Sequence, residues 1–249
     1  MSTTIAKALT LIEMLAETEV PRSITDLAQR LGLPKSNVHF LLAALCAKGY
    51  VEQEPVTRRY FLTLRLWELG TRVLGRMDLR RVASPFLASL AEATAETVNL
   101  AILDHGEVLY LHKIDSPMPV RAYTPEGHRA PAYCTSTGKA MLAFQPEETI
   151  KQVAMQIERH TKRTVGNLRD LQKELGRIRN LGYSMNRGEW RDSVRGVAAP
   201  IIGRPGTAVA AVGVFGPAER LPARKLDSLA EAVKKTAIKI SRALGHVSA

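Results

Sequence analysis

The sequence predicts an α+β chain in two parts, a small helical unit followed by a larger antiparallel sheet flanked by helices. Three observations lead there. Residues 23–49 hold two short helical patterns punctuated by Gly32 and Pro34. Two β-like runs, 50–54 and 58–63, then flank Pro55-Val56-Thr57. Beyond Glu96, apolar strand-like runs alternate with amphipathic helical stretches.

Ile5, Leu9, Ile12 and Leu15 make a first amphipathic helix that can cover the pair behind it. Ser23 and Asp26 have the spacing of a capping box, in which two side chains satisfy free backbone donors at a helix start. Leu27, Ala28 and Leu31 share one face of that helix, and Gly32 ends it in a left-handed cap. Pro34 opens the next helix, where a missing N–H costs nothing. There Val38, Leu41, Leu42 and Leu45 form one buried stripe, opposite Lys35, Ser36, Asn37, Phe40 and Ala43. Cys46 adjoins the stripe and reads as a small buried thiol.

Three helices followed by a basic hairpin describe a winged helix-turn-helix, which docks a recognition helix in the major groove of DNA. Lys35, Ser36, Asn37 and His39 set donors near the start of that helix, and Phe40 can contact thymine methyls. His39 is also next to the apolar stripe, so a structural role stays open. Arg58 and Arg59 lie near the hairpin tip, placed for phosphate or minor-groove contact. The run Arg58, Arg59, Arg65, Arg72, Arg76, Arg80 and Arg81 is opposed by Glu68 and Asp78; it flanks the duplex or forms the wet side of a connecting helix.

These patterns divide the chain into a winged unit at 1–65, a linker helix at 66–82 and a sensor unit at 83–249. Leu66, Leu69, Val73 and Met77 form an apolar line on the linker, and Ser84-Pro85 marks a break and restart. Such a seam packs on its own domain or on a second copy. The second option suits a two-fold dimer reading half-sites about 34–36 Å apart.

The 249 residues leave room for two modest cores. The net charge of +11 agrees with a polyanionic partner, but it is spread along the chain and does not locate one. Cys46 and Cys134 make no disulfide framework, and no segment reads as a leader or a membrane span. The expectation is a reduced, cytoplasmic protein with no membrane contact and no cofactor.

In the second part, Thr97-Val-Asn-Leu-Ala-Ile-Leu and Val108-Leu-Tyr-Leu-His-Lys-Ile flank Asp104-His-Gly-Glu, a hairpin signal. Val120–Tyr123 reads as a third strand. Helices are expected near 136–144, 147–159, 167–181 and 222–244, with late central strands at 194–202 and 208–215.

This order of features resembles the IclR family of bacterial transcriptional regulators along essentially the whole chain. The resemblance is carried by the helix-turn-helix, the hairpin with its linker, and Thr97-Val-Asn-Leu-Ala-Ile-Leu. It continues through Gly127-His-Arg-Ala-Pro-Ala-Tyr-Cys-Thr-Ser-Thr-Gly-Lys-Ala-Met-Leu-Ala, Gly182-Tyr-Ser and Gly196-Val-Ala-Ala-Pro-Ile. It implies an effector-responsive regulator of operator DNA, a GAF-like C-terminal domain, and a homodimer or dimer of dimers. It also implies effector positions at Ser136, Thr137, Asn186, Val194, Gly196, Gly213 and Phe215.

Cys134-Thr-Ser-Thr-Gly precedes a helix, so its hydroxyls and backbone N–H groups can receive an anion, a small carboxylate being the natural candidate. Ordinary helix capping explains Ser136 and Thr137 equally well. The stretch after Gly182-Tyr183, acidic in relatives, reads Asn186-Arg-Gly-Glu-Trp, with Arg187 and Arg191 beside Glu189. Less like charge favours a bound anion. Gly196 and Gly213 leave volume, and Trp190 and Phe215 offer aromatic walls, which together favour an aromatic or mid-sized acid. The other reading makes Trp190 a lid or interface residue and the glycines close-packing devices.

Two further chemistries have partial sequence signals. Ser136 and Lys139 have the S-x-x-K spacing of some acyl-transfer enzymes, but companion motifs are absent and Lys139 is equally an exposed helix residue. Gly138-Lys139 lacks the other residues of a phosphate-binding loop. Cys134 with His112 or His128 is the remaining alternative, a redox or metal sensor; His105 and His112 read as surface residues.

Overall fold

The computed structural model describes residues 3–75, 78–203 and 206–245, with backbone alone at Thr3, 71–75 and Asp78. Two compact units, Met1–Met77 and Asp78–Ala249, make up the chain.

The first unit opens with α1 (Thr3–Ala16). Its buried face is Leu11 and Leu15, with Ala8, Ile12 and Met14 packed beside them. The expected stripe is rotated. Ile5 and Leu9 are exposed, because residues 8, 11, 12 and 15 form a complete helical face centred away from them. In α2 (Ile24–Leu31), Ser23 Oγ accepts from the Asp26 N–H at 3.2 Å. The capping box is half formed, since the Asp26 carboxylate turns instead to Arg22 at 2.7 Å and Arg30 at 3.0 Å. Gly32 takes φ 61° and stops the helix as expected.

Pro34 caps α3 (Lys35–Ala47), whose Val38, Leu41, Leu42 and Leu45 are all buried. Cys46 is only half-buried, and desolvation raises its thiol pKa above the ordinary value. The wing is β1 (Val51–Gln53) paired antiparallel with β2 (Tyr60–Leu62). Reciprocal backbone bonds between Arg22 and Tyr60, 2.9 and 2.8 Å, tie the wing to the entrance of α2. The unit ends with α4 (Arg65–Gly75), where Leu66 and Leu69 are half-buried and Trp67 is exposed. Of the expected linker residues, Arg76 and Met77 lie outside the described residues, as do the side chains of Arg72 and Val73.

The second unit begins with α5 (Asp78–Thr94), which continues through Pro85 without the expected break. Leu79, Ala83, Leu87 and Leu90 are buried along one stripe that spans the proline. That packing keeps the helix together despite the lost N–H. The sheet that follows has order β5-β4-β3-β8-β7-β6, every neighbour antiparallel. Its strands are β3 (Thr97–Asp104), β4 (Glu107–Ile114), β5 (Arg129–Pro131), β6 (Ser184–Asn186), β7 (Val194–Ile202) and β8 (Ala208–Pro217). His105 at φ 50° and Gly106 at φ 85° make the expected tight turn between β3 and β4.

Val120–Tyr123 is not a strand. Val120 and Tyr123 are exposed, and the β4 edge is taken by Arg129–Pro131 after a turn at Gly127. β6 escapes sequence reading because three residues cannot display a period of two.

On one face of the sheet lie α5 and α9 (Ala223–Ala243), packed on each other. The other face carries α6 (Ser136–Leu142), α7 (Glu147–Ala154) and α8 (Leu168–Leu181), joined to Ala101, Tyr110, Ala198 and Ala211 in one core. α7 ends five residues early. Buried Thr164 accepts the His160 and Thr161 N–H groups, which folds the following segment into a loop.

Candidate nucleic-acid interface and effector site

The outer face of α3 presents Lys35, Ser36, Asn37, His39 and Phe40 to solvent. His39 therefore belongs with the surface donors, and Phe40 is 69% exposed. Pro34 supplies no side-chain cap and its carbonyl takes the Asn37 and Val38 N–H groups, so the Lys35 and Ser36 N–H groups keep their outward donors for a partner. At the wing tip Arg58 adopts φ 56°, held by Gln53 Nε2 donating to its carbonyl at 2.9 Å and by its own N–H on Glu54 O at 3.0 Å. This left-handed turn projects Arg58 and Arg59 into solvent, with Arg59 Nη1 resting 3.3 Å from Pro21 O. An apolar back, a polar front and two cations on a rigid tip form a surface that can follow a phosphate backbone.

In the second unit the sheet register assembles the other predicted residues. One row across the sheet reads Asn186, Gly196, Phe215 and Thr97. The next row on that face reads Ser184, Ala198, Gly213 and Asn99. α6 sits over these rows, with Ser136 and Thr137 buried at its start. Ser184 Oγ donates to Ser136 O and so pins the helix to β6. Thr135, not Ser136 or Thr137, caps α6, its Oγ1 accepting from the Gly138 N–H at 3.2 Å. The Ser136 and Thr137 side chains are thus not spent on capping, and Thr137 instead bonds the buried Tyr110 hydroxyl. A Cβ on Gly138 would fall 2.3 Å from Ala132 O, which explains the glycine in the Gly138-Lys139-Ala140 run.

Three expectations change. The glycines leave no vacant volume: a Cβ on Gly196 would meet Val214 O at 2.8 Å, and one on Gly213 would meet Asn99 Oδ1 at 2.9 Å. They are close-packing positions. Asn186 Oδ1 accepts from the Gly188 and Glu189 N–H groups at 2.9 and 2.8 Å, so its carbonyl shapes a loop. Lys139 is 1% exposed, with Nζ 2.6 Å from each Glu189 carboxylate oxygen and 2.8 Å from Met185 O. It is a buried structural cation rather than an exposed helix residue. Val194 lies at the rim, half-buried at the start of β7, while Phe215 is buried. Trp190 is half-buried between His128, 6.1 Å away, and the Arg191 guanidinium, 4.7 Å above its ring.

The residue that sequence reading missed is Asn99. It is 4% exposed, and its Oδ1 has no hydrogen-bond partner among the described residues. A lone amide inside Thr97-Val-Asn-Leu-Ala-Ile-Leu was the available signal. Burial pushes the neighbouring Tyr110 up to about 12. Burial, with the Glu189 charge nearby, likewise pushes the Cys134 thiol up to about 12. Cys134 is held as a neutral thiol, a poor nucleophile and metal ligand. His112 is no simple surface residue: its Nδ1 lies 2.8 Å from Glu126 Oε1, which also accepts the Lys113 N–H, while Arg80 approaches Glu126 Oε2 at 3.2 Å.

The architecture has close relatives. A family model described as the IclR helix-turn-helix domain matches residues 4–55, and one described as the bacterial transcriptional regulator IclR C-terminal matches residues 71–242. The chain belongs to the IclR family. The transcriptional regulator KdgR of Escherichia coli K12 is 35% identical over 225 residues, covering 90% of this chain and 86% of that protein. The Thermotoga maritima IclR structure superposes with a TM-score of 0.83 at 29% identity, covering 99% and 100% of the two chains. An IclR homologue from Microbacterium hydrocarbonoxydans, solved with 4-hydroxybenzoate, gives 0.85 at 25% identity over 98% and 99%. As an IclR-family member the chain is a DNA-binding transcriptional regulator and not an enzyme. The Ser136–Lys139 spacing reflects helix packing, since Lys139 is committed to Glu189. Among the described residues, no helix is long and apolar enough to cross a membrane.

Proposed function

We propose that this IclR-family regulator reads operator DNA with Lys35, Ser36, Asn37, His39 and Phe40 and steadies the complex on phosphates through Arg58 and Arg59. It answers a small organic acid held between the start of α6 and the sheet, around Ser136, Thr137, Gly213 and Phe215, with Asn186, Gly196 and Val194 shaping the surroundings. The observation that carries the effector reading is the unpartnered Asn99 Oδ1 among buried polar groups. An unmet buried acceptor costs about 1–3 kcal/mol, and a ligand that brings a donor removes that cost. The preferred effector therefore combines a carboxylate with a hydroxyl or N–H donor. The 4-hydroxybenzoate bound by the Microbacterium homologue has that combination and supports an aromatic acid.

The cluster is closely packed, so the ligand selects an arrangement in which α6 and the sheet part slightly. A homodimer or dimer of dimers transmits that choice through the 66–82 segment to its winged units in the cytoplasm, altering operator affinity. Such coupling is typically worth about 1–3 kcal/mol. The high Cys134 pKa argues against the redox alternative. A thermal-shift screen of aliphatic, hydroxylated and aromatic acids tests the reading. A hydroxylated or aromatic acid is expected to raise the melting temperature in the wild type and not in Asn99→Leu. A rise of equal size in both, or none with any acid, contradicts it.

A further inference from the structure

A second feature shares no lining residue with the Asn99 cluster. A cavity of about 560 Å³ opens between α8, the loop before it and the loop after β6. That volume is in the range of roughly 300–1,000 Å³ that small-molecule sites occupy. Its cations are Lys139, Arg163, Lys173, Arg177 and Arg187. Its three carboxylates already have partners. Glu189 is paired with Lys139 at 2.6 Å, Glu174 lies 3.6 Å from Lys139 and 3.9 Å from Arg177, and Asp170 accepts from Asn167 Nδ2 at 2.9 Å.

Arg163 is likewise paired, with Asp192 at 3.2 Å, but two of the cations are not matched in return. The Arg187 guanidinium has a single hydrogen-bond partner among the described residues, the Met185 sulfur at 3.1 Å, and no ion pair. A guanidinium carries five N–H donors, and a thioether is a weak acceptor. Lys173 has no ion pair among the described residues. The wall is firm, because Thr161 Oγ1 donates to Gly188 O at 2.8 Å and Thr164 Oγ1 to Glu189 O at 2.6 Å.

We propose that this cavity is a second ligand site, taking a small anion with at least two negative charges through Arg187, Lys173 and Arg177. Phosphate esters and polycarboxylates share the required chemistry, anionic oxygens spaced to meet a fork and a point charge. A cavity whose cations converge among paired carboxylates suits a compact anion better than a polyanionic duplex.

Calorimetric titration of the full chain at fixed ionic strength, with pyrophosphate and citrate as probes, decides the matter. At least one probe is expected to bind saturably, one per chain, and which one does so identifies the source of the charge. Arg187→Gln should weaken binding tenfold or more and Lys173→Gln severalfold. Lys151→Gln, a surface change on α7 outside the cavity, should leave it unchanged. No saturable binding of either probe overturns the proposal, as do wild-type affinity in both cavity variants or an equal loss in Lys151→Gln. Loss of DNA affinity in Arg187→Gln without anion binding in the wild type also overturns it.

Discussion

The Lys139 ammonium lies 2.6 Å from both oxygens of the Glu189 carboxylate, with the lysine almost fully buried. This pair joins α6 to the loop after β6, and it lines the second proposed ligand site on the helix that begins at the first. Removing one partner of a buried pair leaves an uncompensated charge and costs about 3–5 kcal/mol. Lys139→Ala should lower unfolding free energy by that amount in urea titrations. Lys139→Met with Glu189→Leu should recover much of the loss, because neither charge is then stranded.

Gly138 gives a steric prediction. A methyl group there would meet the Ala132 backbone at 2.3 Å, a contact that no side-chain rotation relieves. Gly138→Ala should destabilise the second unit by about 1–3 kcal/mol, the usual cost of overpacking. Gly127→Ala meets no atom within 4 Å, so whatever it costs comes from its positive φ alone. A smaller melting shift for Gly138→Ala than for Gly127→Ala would refute the packing account.

The wing makes an electrostatic prediction. Each phosphate neutralised contributes about 0.9 to the slope of log affinity against log salt. Arg58→Ala with Arg59→Ala should therefore lower that slope by about 2 and weaken binding to every sequence alike. An unchanged slope in filter-binding assays would take the wing off the DNA.

The thiols differ in a way that pH exposes. The Cys134 pKa is raised from 9.0 to about 12 by burial. The sign is that of an acid kept neutral in the fold: its contribution is whole below pH about 9 and fades as pH climbs toward 12. Stability should therefore fall across that window, and less so in Cys134→Ala. At neutral pH a thiol reagent should label half-buried Cys46 first and reach Cys134 at the rate of opening.

Much of this was legible in the sequence for identifiable reasons. Gly32, Pro34 and Ser23 act through local backbone geometry, so the helix-turn-helix could be read from neighbours in the chain. The Val38–Leu45 stripe and the His105-Gly106 turn were legible for the same reason. Ile5 and Leu9 misled because which apolar edge of α1 is covered depends on the fold, not on period alone. Pro85 misled because a long-range apolar stripe outweighed a local breaker. The candidate site was half legible. Register brought Asn186, Gly196 and Phe215 into one row, yet the Lys139–Glu189 pair joins residues 50 apart in sequence, and Asn99 is buried against Gly213 of a strand late in the chain.

Control of DNA affinity by an acid recognised beside Asn99 is read by titrating operator binding with hydroxylated and aromatic acids, in the wild type and in Asn99→Leu. Operator affinity should shift roughly 5–150-fold with at least one such acid, in either direction, and the shift should be lost in the variant. An operator affinity that no acid moves, or that moves equally in Asn99→Leu, would contradict it.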